Sequence, residues 1–190
     1  MEQPTIGFAV TGSFCTFQKI LRCLRALKER YPSIIPIFSE NAYFLDSRFG
    51  PAENFIAEVE EICGRPVLKT IQEVEPFGPK VTLDLLVVAP CTGNTLAKLA
   101  AGIADTCVTF ACKAHLRNGR PIVLAVSTND GLAAAARNIG DLLNRKHYFF
   151  VPFGQDDPRK KPMSLIADLT KLPDTVNAAL QGVQLQPLLL

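Results

Sequence analysis

Between Leu83 and Asp105 the chain reads LDLLVVAPCTGNTLAKLAAGIAD, and from Leu85 to Ala89 every position is apolar, with no alternation. A strand with one wet face alternates. One that is apolar throughout must be covered on both faces, as the central strands of parallel sheets are. Pro90 stops the run, and Thr92, Gly93, Asn94 and Thr95 come next, at the expected start of a helix near Thr95. A helix N-terminus leaves backbone N–H groups unpaired and carries partial positive charge, so this junction offers a seat for an anionic or polar group. Thr92 and Asn94 are also ordinary capping residues, and capping alone accounts for them as well as ligand binding does.

The same succession of strand, polar turn and helix recurs along the chain. Ile6 to Val10 is a strand, Thr11, Gly12 and Ser13 a turn, and Phe17, Ile20, Leu21, Leu24 and Leu27 give the next helix, about Thr16 to Arg30, an apolar stripe. Gly12 permits close approach of backbone to a ligand and Ser13 adds a hydroxyl, although the GxGxxG spacing of a dinucleotide site is absent. Ile34 to Phe38 is a second strand closed by Ser39. A helix from Pro51 to Cys63 is next, then a short strand from Val67 to Thr70 and a stiff loop of Pro76, Gly78 and Pro79 that presents Lys80. After the opening segment come a helix from about Thr106 to Asn118, a buried strand from Pro121 to Val126 and the turn Ser127, Thr128, Asn129, Asp130 and Gly131. A helix to about Asn144 and a sixth strand, Tyr148 to Val151, complete the sheet. In a doubly wound sheet the carboxyl ends of such strands converge on one crevice, which would bring Ser13, Ser39 and Thr92 together.

At 190 residues, with 48% hydrophobic and 20% charged residues, the chain suits one soluble domain over 1–190. Within it, PFGQDDPRKKPMS at 152–164 reads as a charged loop or flap, and the tail at 182–190, ending in Leu188, Leu189 and Leu190, as a segment that docks on a neighbouring protomer. Arg159, Lys160 and Lys161 are candidates for holding a dicarboxylate or phosphate, against the alternative that they are simply solvated. No membrane-spanning apolar run and no leader pattern is seen, so a cytoplasmic protein is expected. A net charge of +2 gives no concentrated basic footprint for nucleic acid. The six cysteines form no CxxC pair and read as reduced packing residues, with no metal site in prospect. Cys15 and Cys91 each lie at a strand-to-helix junction, where a thiol pKa could fall, but packing is the favoured reading of both.

TGS at Thr11 to Ser13, Ser39, APCTGNTLAKLAAGIAD from Ala89 and STND from Ser127 together resemble the homo-oligomeric flavin-containing cysteine decarboxylase superfamily, which includes flavin prenyltransferases. Within it, EPFGPK at Glu75 to Lys80, TGNTLAK at Thr92 to Lys98, LRNGRPIVLAVSTND at Leu116 to Asp130 and YFFVPFGQDDPRKKPMS at Tyr148 to Ser164 resemble the family of dipicolinate synthase B subunits. The resemblance implies an α/β fold of flavoprotein type, a Rossmann-like three-layer sandwich on a mainly parallel six-stranded sheet. It also implies an FMN site built from Gly12, Ser13, Ser39, Pro90, Thr92, Gly93, Asn94, Thr95, Ser127, Thr128 and Asn129. The activity implied is oxidation of dihydrodipicolinate to dipicolinate during sporulation, in the cytoplasm of the mother cell. Catalytic candidates are Asn129 and Lys80; Lys80, Arg159, Lys160 and Lys161 are candidates for binding the dicarboxylate. NAD(P) is expected on a partner, the A subunit of the synthase, and self-association into a homo-oligomer is implied. The sequence departs from the decarboxylases, because its only histidines are His115 and His147 and no cysteine comes after Cys112. The rival expectations are a decarboxylase or prenyltransferase on the same fold, and a non-catalytic partner or regulatory subunit.

Overall fold

The computed structural model describes residues 3–78, 80 and 83–190. Five strands run parallel: β1 (Thr5–Val10), β2 (Ser33–Phe38), β3 (Leu85–Cys91), β4 (Ile122–Thr128) and β5 (Tyr148–Phe150). Their order is β2-β1-β3-β4, with β5 on the free side of β4. All seven residues of β3 are buried, as its unbroken apolar run requires. Covering both faces of such a strand demands helices on each.

On one face α1 (Phe17–Arg30) packs with α3 (Ala52–Cys63) and with α8 (Leu172–Leu180); on the other, α5 (Gly93–Ala101) packs with α6 (Cys107–Leu116) and α7 (Ala134–Leu143). Of the short helices, α2 (Glu40–Phe44) packs against α3 and β2, and α4 (Ile71–Val74) against α6. The stripe of α1 is buried as its spacing predicts, through Phe17, Ile20, Leu21, Leu24 and Leu27. No helix among the described residues is long and apolar enough to cross a membrane.

The fold is the expected α/β sandwich, but the sheet has seven strands in place of six, and three local expectations change. The predicted strand Val67 to Thr70 shrinks to a single bridge between Leu68 and Ile37. Leu68 donates to Pro36 O at 2.9 Å and accepts from Phe38 N at 2.8 Å. Beyond that, Pro36 has no N–H to offer, and Thr70 is already the cap of α4, bonded to Glu73 N.

The segment at 152–164 is a hairpin and not a loop. β6 (Phe153–Asp157) and β7 (Lys161–Ala167) pair antiparallel, and β7 adds to the upper end of β4 through Ser127–Ile166 and Thr128–Leu165. Its turn is closed by Asp157, whose carboxylate accepts from Arg159 N and Lys160 N, both at 3.1 Å. A charged turn between two strands has the same composition as a charged flap, and only the pairing tells them apart.

The tail pairs with its own chain. Phe153 donates to Leu188 O at 3.0 Å and accepts from Leu190 N at 3.1 Å, while Gln184 holds both backbone groups of Phe150, at 2.8 and 2.7 Å. The side chains of Leu189 and Leu190 stay 71% and 62% exposed. Helix starts move slightly: Pro51 caps α3 without entering it, and α5 begins at Gly93, ahead of Thr95.

His115 is buried on α6 and donates Nε2–H to Pro121 O at 2.9 Å, which ties the helix to the entry of β4. Burial pushes its pKa down from 6.5 to about 4. A folded-state pKa below the unfolded one means that the unfolded chain gains a proton first as pH falls. Stability is therefore full above about pH 6.5 and is lost between there and pH 4. Urea unfolding at pH 5 against pH 7.5 is expected to show about 2 kcal/mol more loss in the parent than in His115→Gln.

Candidate functional site

The carboxyl ends of β1, β3 and β4 are joined by hydroxyl groups. Thr11, just past β1, donates its hydroxyl to Pro90 O at 2.7 Å and accepts from Thr92 N at 3.2 Å. Ser13 and Ser127 share a hydrogen bond of 2.8 Å across β3. Ser39 N–H donates to Val10 O at 2.9 Å, placing the end of β2 beside the same rim. Between Val88 and Cys91, β3 slips register against β4, and beyond this slip the strand ends frame a cleft of about 370 Å³. That size is within the range of small-molecule sites.

The cleft is lined by Gly12, Ser13, Thr92, Gly93, Ser127, Thr128 and Asn129, seven of the residues singled out from sequence. Its donors are largely backbone. The N–H groups of Gly12, Phe14 and Cys15, and of Gly93 and Asn94 at the start of α5, bond to no acceptor among the described residues. An array of free amides at a helix N-terminus favours an anion. The close fit of α5 to β4 depends on Gly93, since a Cβ there would lie 2.5 Å from the Thr128 hydroxyl and 2.9 Å from Asp130.

Four of the sequence candidates stand beside the cleft and do not line it. Thr95 is buried; its N–H and hydroxyl both bond the Thr92 hydroxyl, at 3.3 and 3.0 Å. The capping explanation of Thr92 therefore holds, and its hydroxyl is shared with the helix it starts. Ser39 caps α2 by accepting from Ala42 N, Pro90 contributes its carbonyl to Thr11, and Asn94 is exposed.

The basic candidates separate. Lys161 lines the cleft from β7, where the carboxylate of Asp156 bonds its ammonium and raises its pKa. Arg159 and Lys160 belong to the exposed hairpin turn, outside the cleft. Lys80 is exposed, and the carbonyl of Gly78, two residues before it, accepts from Asn118 Nδ2 at 3.5 Å, just past the C-terminal end of α6. It stands at the opposite end of β3 from Thr92, about 20 Å away along a strand of this length. A loop that precedes a parallel strand ends at the wrong edge of the sheet to serve a crevice formed after the strands.

Residues that sequence reading missed complete the walls. Arg48 and Phe49 come from the loop between α2 and α3, with the guanidinium 4.9 Å from the ring centre; Asp156, Ser164, Leu165 and Ile166 come from the hairpin. DSRFG has no periodicity to distinguish it from any polar loop, so Arg48 gave no signal; the apolar residues after Met163 were the overlooked sign of β7. Cys91 is fully buried and burial raises its thiol pKa well above the ordinary value, whereas Cys15 is exposed on the cleft wall. His115 and His147 are both absent from the cleft lining.

Comparison with known proteins places the chain in a family. The model of the family described as Flavoprotein matches residues 1–180. The chain is 41% identical over 189 residues to the B subunit of dipicolinate synthase from Bacillus subtilis (strain 168), covering 100% of this chain and 94% of that one. Among solved structures, the B subunit of dipicolinate synthase from Bacillus halodurans C superposes with a TM-score of 0.90 at 40% identity, covering 98% of this chain and 96% of that one. The FMN-dependent cysteine decarboxylase SpaF superposes with a TM-score of 0.71 at 21% identity, over 94% and 96% of the two chains.

Adding one methyl group where α5 meets β4 tests the close contact directly. Gly93→Ala is expected to lower unfolding free energy by about 1–3 kcal/mol in urea titration, because the Cβ must displace Thr128 or the helix start.

Proposed function

The chain belongs to the flavoprotein family, and from that premise we propose that it is the B subunit of a two-component dipicolinate synthase whose cleft binds FMN. Homology over its whole length to the B subunit of the Bacillus subtilis synthase supports the assignment. The single observation that carries the ligand reading is the cluster of unpaired amides at Gly12, Phe14, Cys15 and Gly93 around one cleft, with that of Asn94 next to it. Those donors fit a phosphomonoester, with Ser13 adding a hydroxyl, while Ser127, Thr128 and Asn129, beside Ser13 and Gly93 at the end of β4, fit the polar edge of a ring system.

Aromatising a dihydropyridine removes a hydride and a proton, and a bound flavin is a chemically competent hydride acceptor. The chain's own task is to hold the substrate. Arg48 and Lys161 face the cleft from separate walls and supply cations for the substrate's carboxylates; Phe49 and Ile166 supply apolar contact for the ring. Lys161 must exchange Asp156 for a substrate carboxylate, so binding there trades one ion pair for another. Asn129, exposed at the mouth, is placed to orient the ring or relay the departing proton through water. NAD(P) belongs to the partner, the A subunit, in this reading. The chain acts as one domain within a homo-oligomer, in the cytoplasm of the mother cell of a spore-forming bacterium. A cysteine decarboxylase finds no support, since no histidine lines the cleft and no cysteine lies on the hairpin.

Titrating the purified chain with FMN is expected to give saturable binding with a shifted visible spectrum; no binding at micromolar FMN discards the cleft assignment. Assays of the A subunit, with and without this chain, are expected to show dependence on it. Full activity of that partner by itself removes the catalytic role. Arg48→Ala is expected to raise KM for the dicarboxylate roughly tenfold or more, the worth of one charge-assisted hydrogen bond, with FMN binding retained.

A further inference from the structure

At the other end of the sheet the helices α5, α6 and α7 finish around a second cleft, of about 470 Å³, lined by Leu99, Ile103, Leu116 and Tyr148 and rimmed by Lys113, Arg117, Arg145 and Lys146. No acidic residue lines it. Asp105, the nearest acid in sequence to its wall, is held by Lys98 at 2.8 Å.

The four cations are not equivalent. Arg145 has a structural use, since its guanidinium donates to Leu99 O and Ala100 O and so closes the end of α5. Lys113, Arg117 and Lys146 take part in no ion pair among the described residues. Lys113 in the last turn of α6 and Arg117 at its C-cap stand one turn apart, where the helix dipole favours cations and no carboxylate among the described residues pairs with either. The floor meanwhile is apolar and open: Ile103 is 47% exposed, and Tyr148 is partly buried, its hydroxyl pKa raised by burial.

An apolar floor under a cationic, acid-free rim matches a flat ring carrying two carboxylates better than it matches a compact inorganic anion. We propose that this cleft is a second binding site for an aromatic dicarboxylate, the product class of the reaction proposed above, on which only the identity of the ligand rests. The site is separate from the oxidation cleft. Helix α5 begins at one with Gly93 and reaches the other with Leu99 in its last turn, an axial rise of about 9 Å between the two residues. An occupant here is held clear of the reacting centre, and one rigid helix connects the two sites.

The test uses isothermal titration calorimetry in metal-free buffer on the full chain carrying Arg48→Ala and Lys161→Ala, which disables the first cleft. Pyridine-2,6-dicarboxylate is expected to bind at one per chain, and adding Lys113→Ala with Arg117→Ala is expected to weaken it at least tenfold. Inorganic phosphate is expected to bind more weakly than the dicarboxylate. No binding in the first background, an unchanged affinity in the second, or phosphate binding as tightly as the dicarboxylate would each overturn the proposal. Thermal melting checks that the variants are folded. FMN titration of Lys113→Ala/Arg117→Ala in the otherwise unaltered chain reads the flavin assignment independently, so failure of one reading is distinguishable from failure of the other.

Discussion

The complete burial of β3 is the constraint that governs the rest of the molecule. Each Leu or Val taken wholly out of water contributes on the order of 1.5–3 kcal/mol, so a strand of Leu85, Leu86, Val87 and Val88 cannot leave a face uncovered. Helices on both faces require crossover connections, and crossovers keep β1, β2, β3 and β4 parallel. Parallel strands all end at one edge, where the chain must leave the sheet and turn into helices. The cleft is the geometric result of that shared edge, and the hydroxyl of Thr11 fixes its width by bonding both the end and the exit of β3.

The residues just past the strands were legible in sequence because short polar side chains after an apolar run have few other places to be. Gly12, Ser13, Thr92 and Gly93, which line the cleft, are legible in this way, whereas Ser127, Thr128 and Asn129 are assigned through the family resemblance. The hairpin was hidden because its charged turn and two prolines outweighed the weak alternation of β7, and because β6 has only Phe153 buried. Arg48 was hidden by a different cause: a loop residue acquires its position from tertiary packing, here Phe49 beside it and the cap Asp46 gives to α3. Lys80 shows the converse error, in which a conspicuous charge near a functional strand was taken for proximity without regard to which end of the strand it precedes.

The cleft also shows how a site can be polar without leaving its side chains idle. Thr92 and Thr95 bond to each other, Ser13 bonds Ser127, and Thr128 bonds Asp130. Among the described residues, no buried side-chain polar atom lacks a partner. Besides the exposed side chains of Arg48 and Asn129, the groups that remain free at the cleft are backbone N–H, fixed in direction by the turns themselves and presented without any cost in side-chain entropy. Short side chains hold much of the frame, and free main-chain amides are left at its rim, an arrangement that suits an anionic group.

The amide of Gln184 performs an economical piece of carpentry. By accepting from and donating to the backbone of Phe150, it imitates a neighbouring strand on the outer margin of β5, which is only three residues long. An unpaired margin of a sheet is a template on which other chains can polymerise, and proteins commonly blunt it with a bulge, a charge or a cover. Here the blunting is done by one side chain at one residue, and the same segment goes on to cover Phe153. The last stretch of the chain thus acts as a stopper that keeps a short, greasy border from recruiting its own kind.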